Sequence, residues 1–167
     1  RDLARTSCAI RRLRIPTIAR VQGAAVGGGC GLMVVPDFAV THPEAKVGYP
    51  EVDLGVCPAV VAPWLIKKIG AGRARSMLLA GGTMSGAEGY AVGLATHLVE
   101  RDELESAALD LAATLAKGGA EALAVTKRWL NELDGSFEDH VFQKAAELSA
   151  QVIAGEEAQA RLAPLYG

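Results

Sequence analysis

Residues 23–31 read Gly23-Ala24-Ala25-Val26-Gly27-Gly28-Gly29-Cys30-Gly31, between the apolar segment Thr17–Gln22 and the apolar run Leu32–Val35. Thr17–Gln22 is predicted as a buried strand and Leu32–Val35 as part of a helix. A glycine run at that junction lets bare backbone approach a ligand and aims unpaired N–H groups at negative charge. Two chemistries use such a turn, phosphate binding and oxyanion stabilisation. Tight structural packing is the third reading.

The phosphate fingerprints fail. A Walker loop needs G-x-x-x-x-G-K-[ST], and no lysine follows the cluster; G-x-G-x-x-G begun at Gly27 reaches Leu32 where glycine is required. Nor is there a G-x-S-x-G elbow, since Ser85 is flanked at the outer positions by Thr83 and Ala87. An oxyanion hole is the better of the two chemical readings.

The chain of 167 residues is long enough for one domain with a substantial core. Half of it is hydrophobic and 22% charged, with a formal net charge of -2, which excludes a disordered chain and makes a poor general nucleic-acid binder. No apolar stretch approaches the roughly 18 residues of a membrane span. Arg1, Arg5, Arg11, Arg12, Arg14 and Arg20 stand near the single acid Asp2. That basic front end reads as a solvated face, with an anionic ligand as the alternative. Cys8, Cys30 and Cys57 are scattered, and His42, His97 and His140 are isolated, so neither a disulfide framework nor a metal site is expected. The cysteines fit a reducing, cytoplasmic setting. The Arg-rich start runs directly into a folded-looking segment and is not read as a targeting sequence. The chain opens on Arg1, not Met, which suggests residues upstream.

Periodicity predicts a first helix carrying Leu3, Ile10 and Leu13 and ending before Pro16. Strands are expected at Phe38–Thr41 and, briefly, at Lys46–Tyr49. Beyond Gly55 only helices are expected: Ala62–Ile69, Arg73–Ala80, a short one opened by the Ser85-x-x-Glu88 capping box, one through Leu104–Leu115, and two more over Ala120–Leu133 and Phe137–Ile153. The chain thus reads as α/β in its first third and helical afterwards.

The string Ile15-Pro16-Thr17-Ile18-Ala19-Arg20-Val21-Gln22-Gly23 through Cys30 resembles the signature of the crotonase (enoyl-CoA hydratase/isomerase) superfamily. The likeness continues through Pro36-Asp37, Ala45–Pro58 and Gly70–Leu94. It implies the C-terminal part of a crotonase-like ββα spiral core over residues 1–95 and a helical trimerisation region over 96–167, assembling as a homotrimer or hexamer. It also implies an acyl-CoA thioester as substrate, coenzyme A entering only as part of it, and no separate cofactor or metal.

In that family two backbone N–H groups stabilise the enolate formed on the thioester oxygen. The resemblance puts the second donor at Gly28, with Gly27, Gly29 and Gly31 beside it. The first donor belongs to an earlier segment that has no counterpart in this sequence. Of the two glutamates used by the most familiar hydratases, one falls on Glu51 and the other on Gly31, which bears no carboxylate. A branch resembling methylglutaconyl-CoA hydratase shares glycine at that position and the wording Leu54-Gly55-x-x-Pro58-Ala59-Val60. Pro58, Val60 and Trp64, with Val61 and Ala62, are therefore expected either to line the acyl pocket or to pack in the core. Asp53 reads as structural, with water positioning as the alternative, and Asp37 as structural. Tyr166 resembles a family aromatic, whereas Gln159, Leu162 and Ala163 replace residues that family members offer to a neighbour's coenzyme A. The implied reaction is hydration of a 2-enoyl-CoA. The alternatives are Δ3,Δ2-enoyl-CoA isomerisation by the single glutamate, or a non-catalytic subunit of the same fold.

Overall fold

The computed structural model describes residues 2–165; Tyr166 lies outside them. Helix α1 (Asp2–Arg11) buries Ala4 and Ser7 and packs Leu3 and Ile10 on the core. Leu13 falls beyond its end and is exposed. Strand β1 (Ile18–Arg20) follows, then β2 (Ala25–Val26) and helix α2 (Gly28–Val34), so the glycine cluster forms both a short strand and the start of a helix. Next come β3 (Phe38–Thr41), β4 (Lys46–Gly48) and a single 3-10 turn over Val52–Leu54.

The second half is not purely helical. After α3 (Ala62–Ile69) and α4 (Ala71–Ala80) a strand, β5 (Thr83–Ser85), pairs antiparallel with β4; after α5 (Gly86–Ala91) another, β6 (His97–Leu98), pairs parallel with β3. The expectation that strands stop at Gly55 is therefore corrected. Strands of two and three residues are too short to display an alternating pattern, and both exist because β3 and β4 offer unpaired edges. Two three-stranded sheets result, ordered β1-β3-β6 and β2-β4-β5, with β2 parallel to β4. The first sheet extends past residue 95.

Helices α6 (Leu104–Leu115), α7 (Ala120–Leu133), α8 (Asp139–Ile153) and the unanticipated α9 (Glu156–Leu162) complete the chain. At seven residues α9 is too short for a visible helical repeat. The capping box forms as expected: Ser85 accepts from the Glu88 N–H while the Glu88 carboxylate accepts from Ser85. Tyr49, Leu65, Leu94, Val35 and Val47 are fully buried at the centre. No helix among the described residues is long and apolar enough to cross a membrane.

The basic front end is largely answered within the chain. Arg11 pairs with Asp134 at 2.7 Å and Arg12 with Asp139 at 2.6 Å, while Arg14 meets Glu121 and Arg20 meets Glu105. Deeper in, Lys127 of α7 donates to Asp37 at 2.7 Å and to the Ile15 carbonyl at 2.8 Å. Asp37 also accepts from the backbone N–H and the hydroxyl of Thr17. This network locks α7 onto the start of the first sheet, the structural role expected of Asp37.

Candidate active site

Glu51 sits where β4 ends and the 3-10 turn begins. Its carbonyl accepts from Leu54 at 3.1 Å and from Val56 at 2.8 Å, so the turn closes on the residue itself. The side chain reaches back to the glycine cluster: a Cβ placed on Gly27 would lie 3.4 Å from Glu51 Oε1 and 3.6 Å from its Cδ. Gly27 has φ 58, a conformation that L side chains rarely adopt, and it is the N-cap of α2 with no side chain to cap it. Its own N–H bonds to Gly48 O at 2.8 Å, tying the cluster to β4 two peptide units before Pro50. The first i→i−4 bond of α2 runs from Gly31 N–H to Gly27 O. The Gly28 N–H thus belongs to the first turn, where a helix supplies no acceptor of its own.

Glu51 Oε2 is buried without a hydrogen-bond partner among the described residues. Burial pushes its carboxyl above the ordinary value, an effect its own backbone N–H partly offsets. Behind it lie Tyr49 and Cys30, both fully buried. Burial raises the Cys30 thiol to about 11 and drives the Tyr49 hydroxyl higher still, with the Glu51 carboxylate reinforcing both. Both stay protonated at neutral pH, so no second anion competes with Glu51 for a proton.

Gly31 lies one helical turn after Gly27, on the same face. There the space for a side chain is filled: a Cβ on Gly31 would overlap Val61 Cγ1 and stand 3.2 Å from Val61 Cβ. Val61 is the N-cap of α3 and 3% exposed. Where a second carboxylate would enter, the chain presents a methyl group. Leu3 covers the neighbouring position, its Cδ2 lying 3.1 Å from where a Cβ on Gly28 would be.

Not every expected residue converges. Glu51 stands beside Gly27, while Gly28 faces Leu3, Gly31 faces Val61, and Gly29 opens onto a shallow cleft lined by residues 19–25, Leu32 and Met33. The Pro58 carbonyl accepts from Ala62 N–H and starts α3. Val60 packs with Ala4, Ala146 and Leu3. Trp64 is 2% exposed and stacks on Phe142 of α8, ring centroids 4.5 Å apart. Of the two readings left open for Val60 and Trp64, these contacts are those of core residues. Leu3 was missed as a neighbour of Gly28, because nothing in its helical spacing relates it to a turn twenty-five residues on.

Residues 3–162 match the family model described as enoyl-CoA hydratase/isomerase. The chain belongs to that family. It is 41% identical over 110 residues to the mitochondrial methylglutaconyl-CoA hydratase 1 of Pyricularia oryzae, covering 64% of this chain and 32% of that one. It is 32% identical over 124 residues to the crotonyl-CoA hydratase of Syntrophomonas wolfei, covering 74% and 48%. A crystal structure of an enoyl-CoA hydratase from Mycobacterium avium superposes with a TM-score of 0.88 at 27% identity, covering 99% of this chain and 65% of that one. The crotonase-like α/β fold is therefore the fold of this chain. As a member of the enoyl-CoA hydratase/isomerase family it spans about half the length of the curated relatives it matches.

Proposed function

We propose that the chain takes part in adding water to a 2-enoyl-CoA thioester, of branched, methylglutaconyl type, with Glu51 moving the proton and the Gly28 N–H donating to the thioester oxygen. The observation that supports this reading is the placement of the Glu51 carboxyl beside Gly27, its Oε1 3.4 Å from where a Cβ on Gly27 would lie, next to the peptide bond that bears the Gly28 N–H. As water oxygen bonds to Cβ, the Glu51 carboxylate takes its proton and the π electrons move onto the thioester oxygen. The same carboxyl then returns the proton to Cα on the same face. A raised Glu51 carboxyl suits both halves of that exchange, because a base nearer to neutrality also gives its proton back readily. Coenzyme A enters only as the substrate's carrier.

The test is Glu51→Gln, followed by the ultraviolet absorbance of the conjugated thioester. Turnover falls by about 10²–10⁴ if Glu51 is the acid–base group; unchanged turnover rejects the reading. A second reading has its own support. Val61 fills the space at Gly31, so that position gives Glu51 no partner carboxylate. One carboxyl suffices for isomerisation, taking a proton from C2 of a 3-enoyl-CoA and returning it at C4. Consumption of a 3-enoyl-CoA in place of a 2-enoyl-CoA selects it.

We also propose self-association as a trimer or hexamer. The outward face of α7 leaves Val125, Trp129, Leu130 and Leu133 each more than half exposed, an apolar stripe of the kind that marks an interface. A monomer in sedimentation equilibrium counts against it.

A further inference from the structure

Glu51 is bracketed by two hydrogen bonds that both end on one residue, Gly82. Two positions before Glu51, the Tyr49 N–H donates to Gly82 O at 3.1 Å. Two positions after it, the Asp53 carboxylate accepts the Gly82 N–H at 2.8 Å. The peptide units on either side of Gly82 therefore hold the ends of a five-residue loop whose middle residue is Glu51. The turn is shaped for this: a Cβ on Gly81 would lie 2.6 Å from Asp53 Oδ1, so a side chain there would evict the carboxylate. From the other side Arg161 of α9 donates to the Asp53 carbonyl at 3.3 Å, and its Cδ lies 2.9 Å from where a Cβ on Gly55 would be.

We infer that Asp53 is a positioning residue for Glu51, closing a clamp on Gly82 that keeps the Glu51 carboxyl turned toward Gly27. It does not touch the reacting atoms. An exposed aspartate is ordinarily free to turn in solvent; this one gives its acceptor to the backbone of a turn twenty-nine residues away, the turn that leads into β5, the neighbour of β4 in the sheet. Tyr49 anchors one end of the loop in the core, but after Glu51 neither Val52 nor Asp53 is buried, so side-chain packing does not fix that end. Its aim is set from outside.

The inference rests on the reading of Glu51 as the proton-moving group, and the experiment separates the two. Wild type, Asp53→Ala, Asp53→Asn and Glu51→Gln are compared as the full chain by amide hydrogen exchange at Tyr49 and Gly82, by ¹³C titration of the Glu51 carboxyl, and by kcat and KM on a 2-enoyl-CoA and a 3-enoyl-CoA. Asp53→Ala is expected to speed exchange at both amides about tenfold, the scale of one lost charge-assisted hydrogen bond. It also moves the Glu51 titration toward its ordinary value and lowers kcat about tenfold with KM little changed. Asp53→Asn keeps an acceptor for the Gly82 N–H and restores most of each. Wild-type exchange and Glu51 titration in Asp53→Ala overturn the inference, whether or not turnover is seen. Full turnover in Glu51→Gln instead overturns the reading of Glu51 and leaves the exchange and titration results to judge the clamp on their own.

Discussion

Val61 stands in the place of a side chain at Gly31: its Cγ1 overlaps the position a Cβ on Gly31 would take. The two residues are a matched pair, and neither can change size alone. Gly31→Ala is expected to destabilise the chain by about 1–3 kcal/mol through overpacking. Combined with Val61→Gly, which by itself opens a cavity, the damage is less than the sum, with a coupling of about 1 kcal/mol or more. A double-mutant cycle by urea denaturation measures it, and strict additivity contradicts the contact.

The buried carboxyl of Glu51 makes stability depend on pH with a definite sign. The folded chain binds this proton more tightly than the unfolded chain, so the group's support is complete below its ordinary titration range and is lost as pH rises through the raised folded value. Glu51→Gln carries no such penalty. Its Tm should gain on wild type as pH rises above the ordinary carboxylate range, about pH 4, and converge with it in acid. A wild-type advantage at neutral pH would mean that the carboxylate is stabilised by contacts other than those described.

Lys127 is only 6% exposed, and its charge is matched by Asp37. Removing one partner leaves the other buried and unpaired, so Asp37→Ala should cost about 3–5 kcal/mol in denaturant unfolding. The double change Asp37→Asn with Lys127→Met should cost less than either single change made alone. If Asp37→Ala is tolerated within half a kcal/mol, the network is ornamental.

Trp64 bears on how far resemblance reaches. Stacked on Phe142 and buried, it should act on stability, with Trp64→Ala losing about 3–5 kcal/mol and Trp64→Phe, which keeps a stacked ring, much less. A variant that folds with unchanged stability but altered KM for acyl-CoA would return Trp64 to the acyl pocket.

What was legible in the amino acids follows from length and locality. Helices α3 and α7 have the bounds that periodicity predicts, and the Ser85–Glu88 box forms because its partners are three residues apart. Phe38–Thr41 reads as a strand from four apolar or β-branched residues in a row. By contrast β5 and β6 owe their existence to pairing with β4 and β3, and no window around Thr83 or His97 contains that information. The site divides in the same way. Glu51 and Gly28 are picked out through a resemblance in their own neighbourhoods, and the folded chain sets the Glu51 carboxyl beside Gly27, the residue before Gly28. The plug of Val61 in Gly31, the cover of Leu3 over Gly28 and the Gly82 clamp are contacts between distant segments, and only the folded chain reveals them.

The Asp37–Lys127 bond has a consequence in time. It joins positions ninety apart, and the Arg11–Asp134 and Arg12–Asp139 pairs span still more of the chain. Because closing such long loops comes late in folding, the amino-terminal sheet remains provisional on a ribosome until α7 has emerged. A nascent chain halted before that helix would leave Asp37 without its Lys127 partner.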